Sequence, residues 1–237
     1  MGKLFGTDGI RGIVGENLTA DLAFRVGQAV GTVLMEEKGG QRPTVVLGKD
    51  TRVSSDMLEA ALIAGLCSVG GDVKPVGDIP TPAVAYLTRR EKADAGIVVS
   101  ASHNPYEHNG IKVFNSQGYK LPDELEERVE EKILSAEPMD LKTRGELGRR
   151  HHGMKRLKQN YIDFVASTID SDLSGLRILV DCANGAASAT APELFGRFKA
   201  HTVFLHRTPD GLKINDKCGS THLEDLSAQV VEGGYDI

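Results

Sequence analysis

The sequence predicts an α/β fold of layered mixed sheets with helices on both faces, arranged as two consecutive domains. Short apolar runs that are typical of buried strands alternate along the chain with longer amphipathic patterns that are typical of helices. A polar stretch over 137–153 contains Gly145, Gly148 and Gly153 and interrupts this alternation. The chain has 237 residues, of which 40% are hydrophobic, and this suffices for two domains with cores of their own. We therefore predict one domain over 1–152 and a second over 153–237.

Helix and strand patterns alternate throughout the predicted first domain. Thr19 can cap a helix whose apolar residues recur on one face, and the glycine pair at 39–40 ends it. Ser54 or Ser55 can cap the next helix, and Pro122 suits the first turn of the last one. The predicted strands cover 44–48, 72–76, 95–99 and 111–114. The predicted helices run over 20–37, from 54 or 55 to the glycines at 70–71, over 83–90 and over 122–134.

The predicted second domain continues the same alternation. Helices are expected over 157–169, 188–198 and 223–231, and strands over 176–181 and 202–205. The last helix ends at the glycine pair 233–234, and a new strand begins after it.

Composition and charge exclude several classes of protein. The 28 basic and 33 acidic residues give a formal net charge of −5, whereas a nucleic-acid-binding surface is basic. The amino terminus has no signal-like apolar segment and no run approaches a membrane span, so we expect a soluble cytoplasmic protein without a membrane partner. The pattern leaves open whether the protein forms homo-oligomers.

Neither cysteines nor histidines indicate a metal centre. The three cysteines are widely spaced and form no C-x-x-C pair, which argues against a disulfide framework and a zinc site. His108 has no obvious partner ligands, and His151 and His152 lie in the predicted linker, where we expect them to be solvated.

The segment that follows the strand at 95–99 is the strongest functional signal. It delivers Ser100, Ser102, His103 and Asn104 to the carboxyl end of a strand, where open α/β sheets bind their ligands. Pro105 then stops the strand, because proline lacks the backbone donor that a ladder needs. Spacing alone supports a plain polar turn equally well.

Three motifs resemble those of the α-D-phosphohexomutases, and the resemblance to this family extends over residues 3–237. Residues 100–105, Ser-Ala-Ser-His-Asn-Pro, resemble the phosphoserine loop of that family. Residues 5–12, Phe-Gly-Thr-Asp-Gly-Ile-Arg-Gly, resemble its amino-terminal signature. Residues 109–114, Asn-Gly-Ile-Lys-Val-Phe, resemble the segment that holds its general acid/base lysine. The resemblance implies two phosphohexomutase-type domains, the second ending before its metal-binding loop, so that the chain would be an amino-terminal fragment.

The resemblance also implies roles for individual residues. Ser102 would carry an activating phosphate and pass it to a sugar phosphate, while Lys112, on a strand that returns to the same site, would exchange a proton with the substrate hydroxyl. Mg²⁺ would be held by the Ser102 phosphate and by aspartates beyond Ile237. Further residues would act on phosphate or substrate or shape the cleft: His103, Arg11, Thr7, Asp8, Asn104, Lys49 and Arg52.

Two questions remain open from the residues alone. Arg52 could pair with Asp50 and be purely structural. Asp8 and the segment 218–222, Cys-Gly-Ser-Thr-His, favour the branch of the family that acts on a hexosamine phosphate. The alternatives are the branch that acts on mannose and glucose phosphates, a sugar-phosphate-binding module without catalysis, and, less favoured, a nucleotide-binding α/β protein that lacks the usual fingerprints.

Overall fold

Helices cover both faces of a mixed sheet in the first part of the molecule. The computed structural model describes residues 4–135 and 137–237. Within those ranges the sheet has five strands: β1 (Ile10–Ile13), β2 (Thr44–Lys49), β3 (Asp72–Asp78), β4 (Ala95–Val99) and β5 (His108–Asn115). The helices around it are α1 (Ala20–Glu37), α2 (Ser55–Ser68), α3 (Thr81–Arg90), α4 (Asp123–Leu134) and α5 (Met154–Ala166).

The strand order β1-β5-β4-β2-β3 brings the functional segments to one edge of the sheet. Strand β2 is parallel to β3 and β4, so these three strands end at the same edge. Strand β5 runs antiparallel to β4 and therefore starts at that edge. Lys112 on β5 pairs with Val98, one position before the end of β4. The predicted return of Lys112 to the segment after β4 is thus confirmed.

Apolar residues on alternate strand positions build two cores, one on each face. Val45 and Leu47 contribute to the core under α1, α2 and α4, whereas Val46 contributes to the core under α3 and α5. All five residues of β4 are buried, as expected for a central strand covered on both faces. The predicted cap of α1 is also present, because the Thr19 side chain accepts a hydrogen bond from the Leu22 amide at 3.1 Å.

Glycines allow α1 and α2 to cross closely. A Cβ atom on Gly65 would lie 2.1 Å from the carbonyl oxygen of Phe24, and one on Gly27 would lie 2.5 Å from that of Leu62. Neither backbone oxygen can yield as a flexible side chain could. The contact between these two helices therefore requires glycine, whose side chain is a single hydrogen atom, at both positions.

The second part of the chain has a smaller parallel sheet. Its elements are β6 (Arg177–Asp181), α6 (Ala191–Phe195), β7 (His201–Leu205) and α7 (Glu224–Gly233). The Ile237 carbonyl accepts a hydrogen bond of 2.8 Å from the Leu179 amide, so the last residues contact β6, although they do not form the strand that the sequence predicts there. Of the described helices, none combines the length and apolarity needed to cross a bilayer.

One strand has no counterpart among the predicted elements, and two expectations from the sequence need correction. Residues 10–13 form the edge strand β1. The sequence does not predict this strand, because the segment is short and rich in glycine. The predicted helix over 188–198 is a 3₁₀ turn (Ala186–Ala189) and the short α6, separated at Thr190, whose φ of −127° is not helical. His151 is not merely solvated, because its Nε2 atom lies 3.1 Å from a carboxylate oxygen of Asp72.

The polar stretch over 137–153 packs along the first sheet. Its backbone pairs with β3, where the Val73 amide donates to Arg149 and the His151 amide donates to Val73, both at 2.8 Å. Helix α5, which follows this stretch, places Leu157 in the core beneath α3. The domain boundary at 152/153 stays a prediction.

We expect Gly65→Ala to destabilise the chain by about 1–3 kcal/mol, because the added methyl group forces α1 and α2 apart. Gly145→Ala is the matched control, since nothing lies within 4 Å of a Cβ atom at that position. Urea unfolding of both variants measures the effect. Equal stability of the two variants would contradict the proposed close crossing.

Candidate active site

The loop after β4 holds Ser102 in an exposed, left-handed conformation. Ser102 has a φ of +57°, which is uncommon for a residue other than glycine. Its amide donates a hydrogen bond of 3.1 Å to the Ser100 hydroxyl, and the Asn104 amide donates one of 3.2 Å to the carbonyl of Ala101. Ala101 is fully buried and anchors the loop to the core. The serine is thus exposed on a fixed backbone.

Arg52 holds this loop in place through hydrogen bonds to its backbone. Its side chain is buried, and its Nε atom donates to an Asp50 oxygen at 2.9 Å. One terminal nitrogen donates to the carbonyl of Ser102 at 2.9 Å, and the other donates to the carbonyl of Pro105. Arg52 was expected either to pair with Asp50 or to shape the cleft. It does both, because it pairs with Asp50 and also binds the backbone of the serine loop.

Asp50, the partner of Arg52, is also held by several hydrogen bonds. Its second oxygen accepts hydrogen bonds from the Arg52 amide at 3.1 Å and from the Ser55 hydroxyl at 2.9 Å. The carboxylate thus links the end of β2, the start of α2 and the arginine that holds the serine loop.

Two cationic side chains share a small cavity with Ser102. The Arg11 guanidinium lies 3.4 Å from one Asp8 oxygen, and the Lys112 ammonium lies 3.8 Å from the other. Two positive charges beside one negative charge leave a net positive site, which suits a phosphate group. The cavity measures about 190 Å³ and is lined by Asp8, Arg11, Thr81, Val98, Ser100, Ser102 and Lys112.

The pairing of β1 with β5 brings Arg11 and Lys112 together. Ile10 pairs with Ile111 and Arg11 pairs with Gly110. The approach depends on Gly9, which has a φ of +85° and whose Cβ atom would lie 2.3 Å from the carbonyl oxygen of Ile111. A larger residue at position 9 would separate the two strands.

A wider cleft of about 480 Å³ is also lined by Ser102. The serine loop contributes Ser100, Ser102 and His103 to it, and the second part of the chain contributes residues 181–187 and 214–220 in part. Ser102 therefore borders both the small cationic cavity and the wide cleft. A group attached to its hydroxyl could face either side.

Three of the remaining predicted residues, Thr7, Asn104 and Lys49, do not line the small cationic cavity at Ser102. Thr7 lines a different cavity beside α4, and Asn104 contributes its backbone to the loop. Lys49 is held by Asp56, at 2.8 Å, and by Asp78, and it lines neither of the two cavities at Ser102. Burial opposes its charge, but hydrogen bonds to these two carboxylates outweigh that effect and raise the pKa of Lys49. Such a lysine is already neutralised, which makes it a poor phosphate ligand.

Sequence reasoning missed two residues of the site. Thr81 lines the cationic cavity at the start of α3. Asn215 donates from its Nδ2 atom to the carbonyl of Ser102 at 2.9 Å and to that of Asn104 at 3.1 Å. Asn215 follows Ser102 by 113 residues, and no local pattern could have indicated the contact.

The described residues do not complete a magnesium site beside Ser102. Asp50 is engaged by Arg52 and Ser55, and Asp181 accepts hydrogen bonds from the amides of Ala183 at 2.8 Å and Gly219 at 2.7 Å. Asp181 also lies close to His206 and Cys218. Mg²⁺ prefers an all-oxygen ligand set, so this mixed cluster does not fit it.

The buried thiols of this region are not nucleophiles at neutral pH. Burial, together with the negative charge of Asp181, raises the pKa of both Cys182 and Cys218 to about 11. Both side chains are therefore protonated at pH 7, which makes them unreactive as nucleophiles.

Comparison with known proteins agrees with this geometry. Residues 2–139 match domain I, of alpha/beta/alpha type, of the phosphoglucomutase/phosphomannomutase family. The match covers more than half of the chain, and the chain belongs to this family.

Among individual relatives, the phosphoglucosamine mutases of Caldanaerobacter subterraneus and Syntrophomonas wolfei are 54% and 50% identical over all of this chain. The chain spans about half the length of these curated relatives, 52% and 53% respectively. A phosphoglucomutase/phosphomannomutase family protein from Burkholderia thailandensis has a similar structure, with a TM-score of 0.80 and 27% identity. That likeness covers 98% of this chain and 50% of the other.

We expect Asp50→Asn to destabilise the chain by about 3–5 kcal/mol, because it leaves the buried Arg52 guanidinium without its counter-charge. Asp56→Asn is the control, since the Asp56 side chain is 83% exposed and its ion pair with Lys49 should be worth less than about 1 kcal/mol. Urea unfolding measures both variants. A small, equal loss in the two variants would show that the Arg52–Asp50 pair does not hold the loop.

Proposed function

We propose that this chain is the amino-terminal part of a phosphoglucosamine mutase, which interconverts glucosamine 6-phosphate and glucosamine 1-phosphate. The observation that carries the proposal is the position of Ser102, exposed on a fixed loop between a cationic cavity and a wide cleft. Identity of 50% or more to proteins of that name, over all of this chain, supports the choice of substrate. Residues 1–152 would be the first domain of the whole protein, and residues 153–237 would be the part of its second domain that precedes the metal-binding loop.

Ser102 would work as a carrier of a phosphoryl group. In the first step, a hydroxyl oxygen of the sugar phosphate attacks the phosphorus atom, the bond from phosphorus to Ser102 Oγ breaks, and Oγ takes up a proton. The sugar leaves this step as a bisphosphate. After it reorients, the other phosphoryl group returns to Ser102 and the isomerised monophosphate departs. The phosphate on Ser102 would carry about −1.5 to −2 charges, which the nearby cations can offset.

The residues around Ser102 divide the remaining work. Arg11 can bind phosphate oxygens through two parallel hydrogen bonds, and Asp8 holds it beside Lys112. Lys112 would exchange a proton with the hydroxyl that attacks or leaves. His103, which borders the wide cleft, can donate a hydrogen bond to phosphate or sugar oxygens.

A bound Mg²⁺ would neutralise charge on the transferred group. This chain would offer it the Ser102 phosphate, and its other ligands would lie beyond Ile237. Phosphomannomutase/phosphoglucomutase activity and sugar-phosphate binding without catalysis remain the alternatives that experiment must exclude.

We expect the full-length protein to carry phosphate on Ser102, and Ser102→Ala to lack it, because Ser102 is exposed beside both cavities, whereas Ser100 is half-buried and its hydroxyl accepts a hydrogen bond from the Ser102 amide. Intact-mass measurement and peptide mapping detect the modification. Ser100→Ala is the control and should retain the phosphate. Phosphate mapped to Ser100, or absent from protein incubated with glucosamine 1,6-bisphosphate, counts against the proposal and favours a binding module.

Lys112→Ala should lower kcat of the full-length protein by about 10²–10⁴-fold through the loss of proton transfer, with little change in stability because the side chain is 29% exposed and its ion pair with Asp8 is long, at 3.8 Å. Lys199→Ala, whose side chain is 76% exposed and pairs with Asp172, is the control and should keep the wild-type rate. The assay compares glucosamine, glucose and mannose phosphates, and the 237-residue chain alone should show no turnover. A normal rate for Lys112→Ala removes the lysine from the mechanism, and a preference for mannose or glucose phosphate identifies the other branch.

A further inference from the structure

The carbonyl group of Ser102 receives two hydrogen bonds from opposite parts of the chain. Arg52 donates from the end of β2, and Asn215 donates from the loop after β7, both at 2.9 Å. The same Nδ2 atom of Asn215 also holds the carbonyl of Asn104 at 3.1 Å. Together with the contact of Arg52 to Pro105, three carbonyl groups of the serine loop are bound by two side chains.

These donors explain how a serine is kept in the left-handed region. That conformation is unfavourable for a residue with a Cβ atom, and it persists only when the surroundings fix it. The carbonyl oxygens of Ser102 and Asn104 bond to the same Nδ2 atom and therefore lie close together, and their like partial charges require a donor between them. Arg52 and Asn215 supply donors to these carbonyls, and Asn215 lines the wide cleft that Ser102 also borders.

Asn215 is itself held in place by the second part of the chain. It has a φ of +59°, which asparagine tolerates better than most residues. Its amide donates to the carbonyl of Ala183 at 3.0 Å, directly after β6. The same loop is tied to Asp181 through the Gly219 amide at 2.7 Å. The position of Asn215 therefore follows the position of β6.

Two other contacts join this region to the segment after β2. The Thr51 hydroxyl donates to the carbonyl of Asn184 at 2.6 Å, and the Val53 amide donates to that of Gly211 at 3.0 Å. Both contacts flank Arg52 in the sequence. The two donors to the Ser102 carbonyl are thus set by one continuous set of hydrogen bonds.

We infer that Asn215 is a positioning residue for Ser102, and that seating of the second domain against the segment after β2 gives the serine loop the shape needed for phosphoryl transfer. This inference rests on the proposed mutase function for its kinetic consequence. Its structural consequence, an ordered serine loop, does not depend on that function. The two can therefore be tested separately.

Asn215→Asp is the most direct test. Aspartate has the same size and also tolerates the left-handed region, but it replaces the donor with a negatively charged acceptor facing two carbonyls. Asn215→Gly is the second variant, which removes the donor without adding charge. Lys217→Asn is the control in the same loop, because Lys217 also has a positive φ, of 51°, is exposed, and makes no hydrogen bond to residues 100–105 among those described.

In the 237-residue chain, we expect the amides of Ser102 and Asn104 to exchange about tenfold faster with solvent in both Asn215 variants, with the amides of β4 unchanged. Hydrogen exchange followed by NMR measures this, and Lys217→Asn should match the wild type. Unchanged exchange at Ser102 and Asn104, or equal acceleration throughout β4, would overturn the positioning role.

In the full-length protein, we expect Asn215→Asp to lower kcat by about 10–100-fold while KM changes less than about threefold, because misplacement of the reacting group affects transfer more than binding. A wild-type kcat overturns the inference for catalysis. If the wild-type protein has no mutase turnover, the proposed function fails, and the exchange data alone decide whether Asn215 positions Ser102.

Discussion

The buried ion pair between Arg52 and Asp50 is the interaction on which the site depends. A guanidinium group can be buried only when its donors find partners, and here one partner is a carboxylate and the others are backbone carbonyls of the serine loop. Folding of the first sheet therefore forces the loop into a single arrangement, because any other would leave a buried charge unsatisfied. The same pair connects the loop to α2 through Ser55, so the helix and the loop form one unit.

The mixed topology of the sheet then decides which side chains reach Ser102. A wholly parallel sheet would send the chain after β4 into a helix and return it far from the loop. Because β5 returns antiparallel beside β4, Lys112 lies at the same edge as Ser102, and β1 pairs with β5 to add Arg11. The glycine at position 9 makes that last pairing sterically possible. Two adjacent antiparallel pairings thus bring Asp8, Arg11, Ser102 and Lys112 around one cavity.

Much of this arrangement follows from local sequence, and the remainder does not. The buried strand β4, the polar loop after it and the return of Lys112 were predicted from an apolar run, a proline and a short spacing, all of which act within about a dozen residues. Strand β1 escaped prediction because its four residues are too short to show a period, and only pairing with β5 defines it. Lys49 shows a related limit, since the strand end that carries it does not reveal that the carboxylates of Asp56 and Asp78 contact its ammonium group. Asn215 depends on a contact over 113 residues, which one sequence cannot reveal.

The contrast between Lys49 and Lys112 shows how the fold separates structural cations from those available to an anion. Lys49 is largely buried, and two carboxylates contact it closely, so removing it from them would cost both ion pairs. Lys112 and Arg11 share one half-exposed carboxylate at 3.8 and 3.4 Å, contacts that solvent weakens. A phosphate that binds there, as the proposed function requires, would compete only with these two weak contacts of Asp8. Asp8 contacts both cations and so keeps them near each other. Its single negative charge balances only one of the two positive charges, and the cavity therefore stays positive.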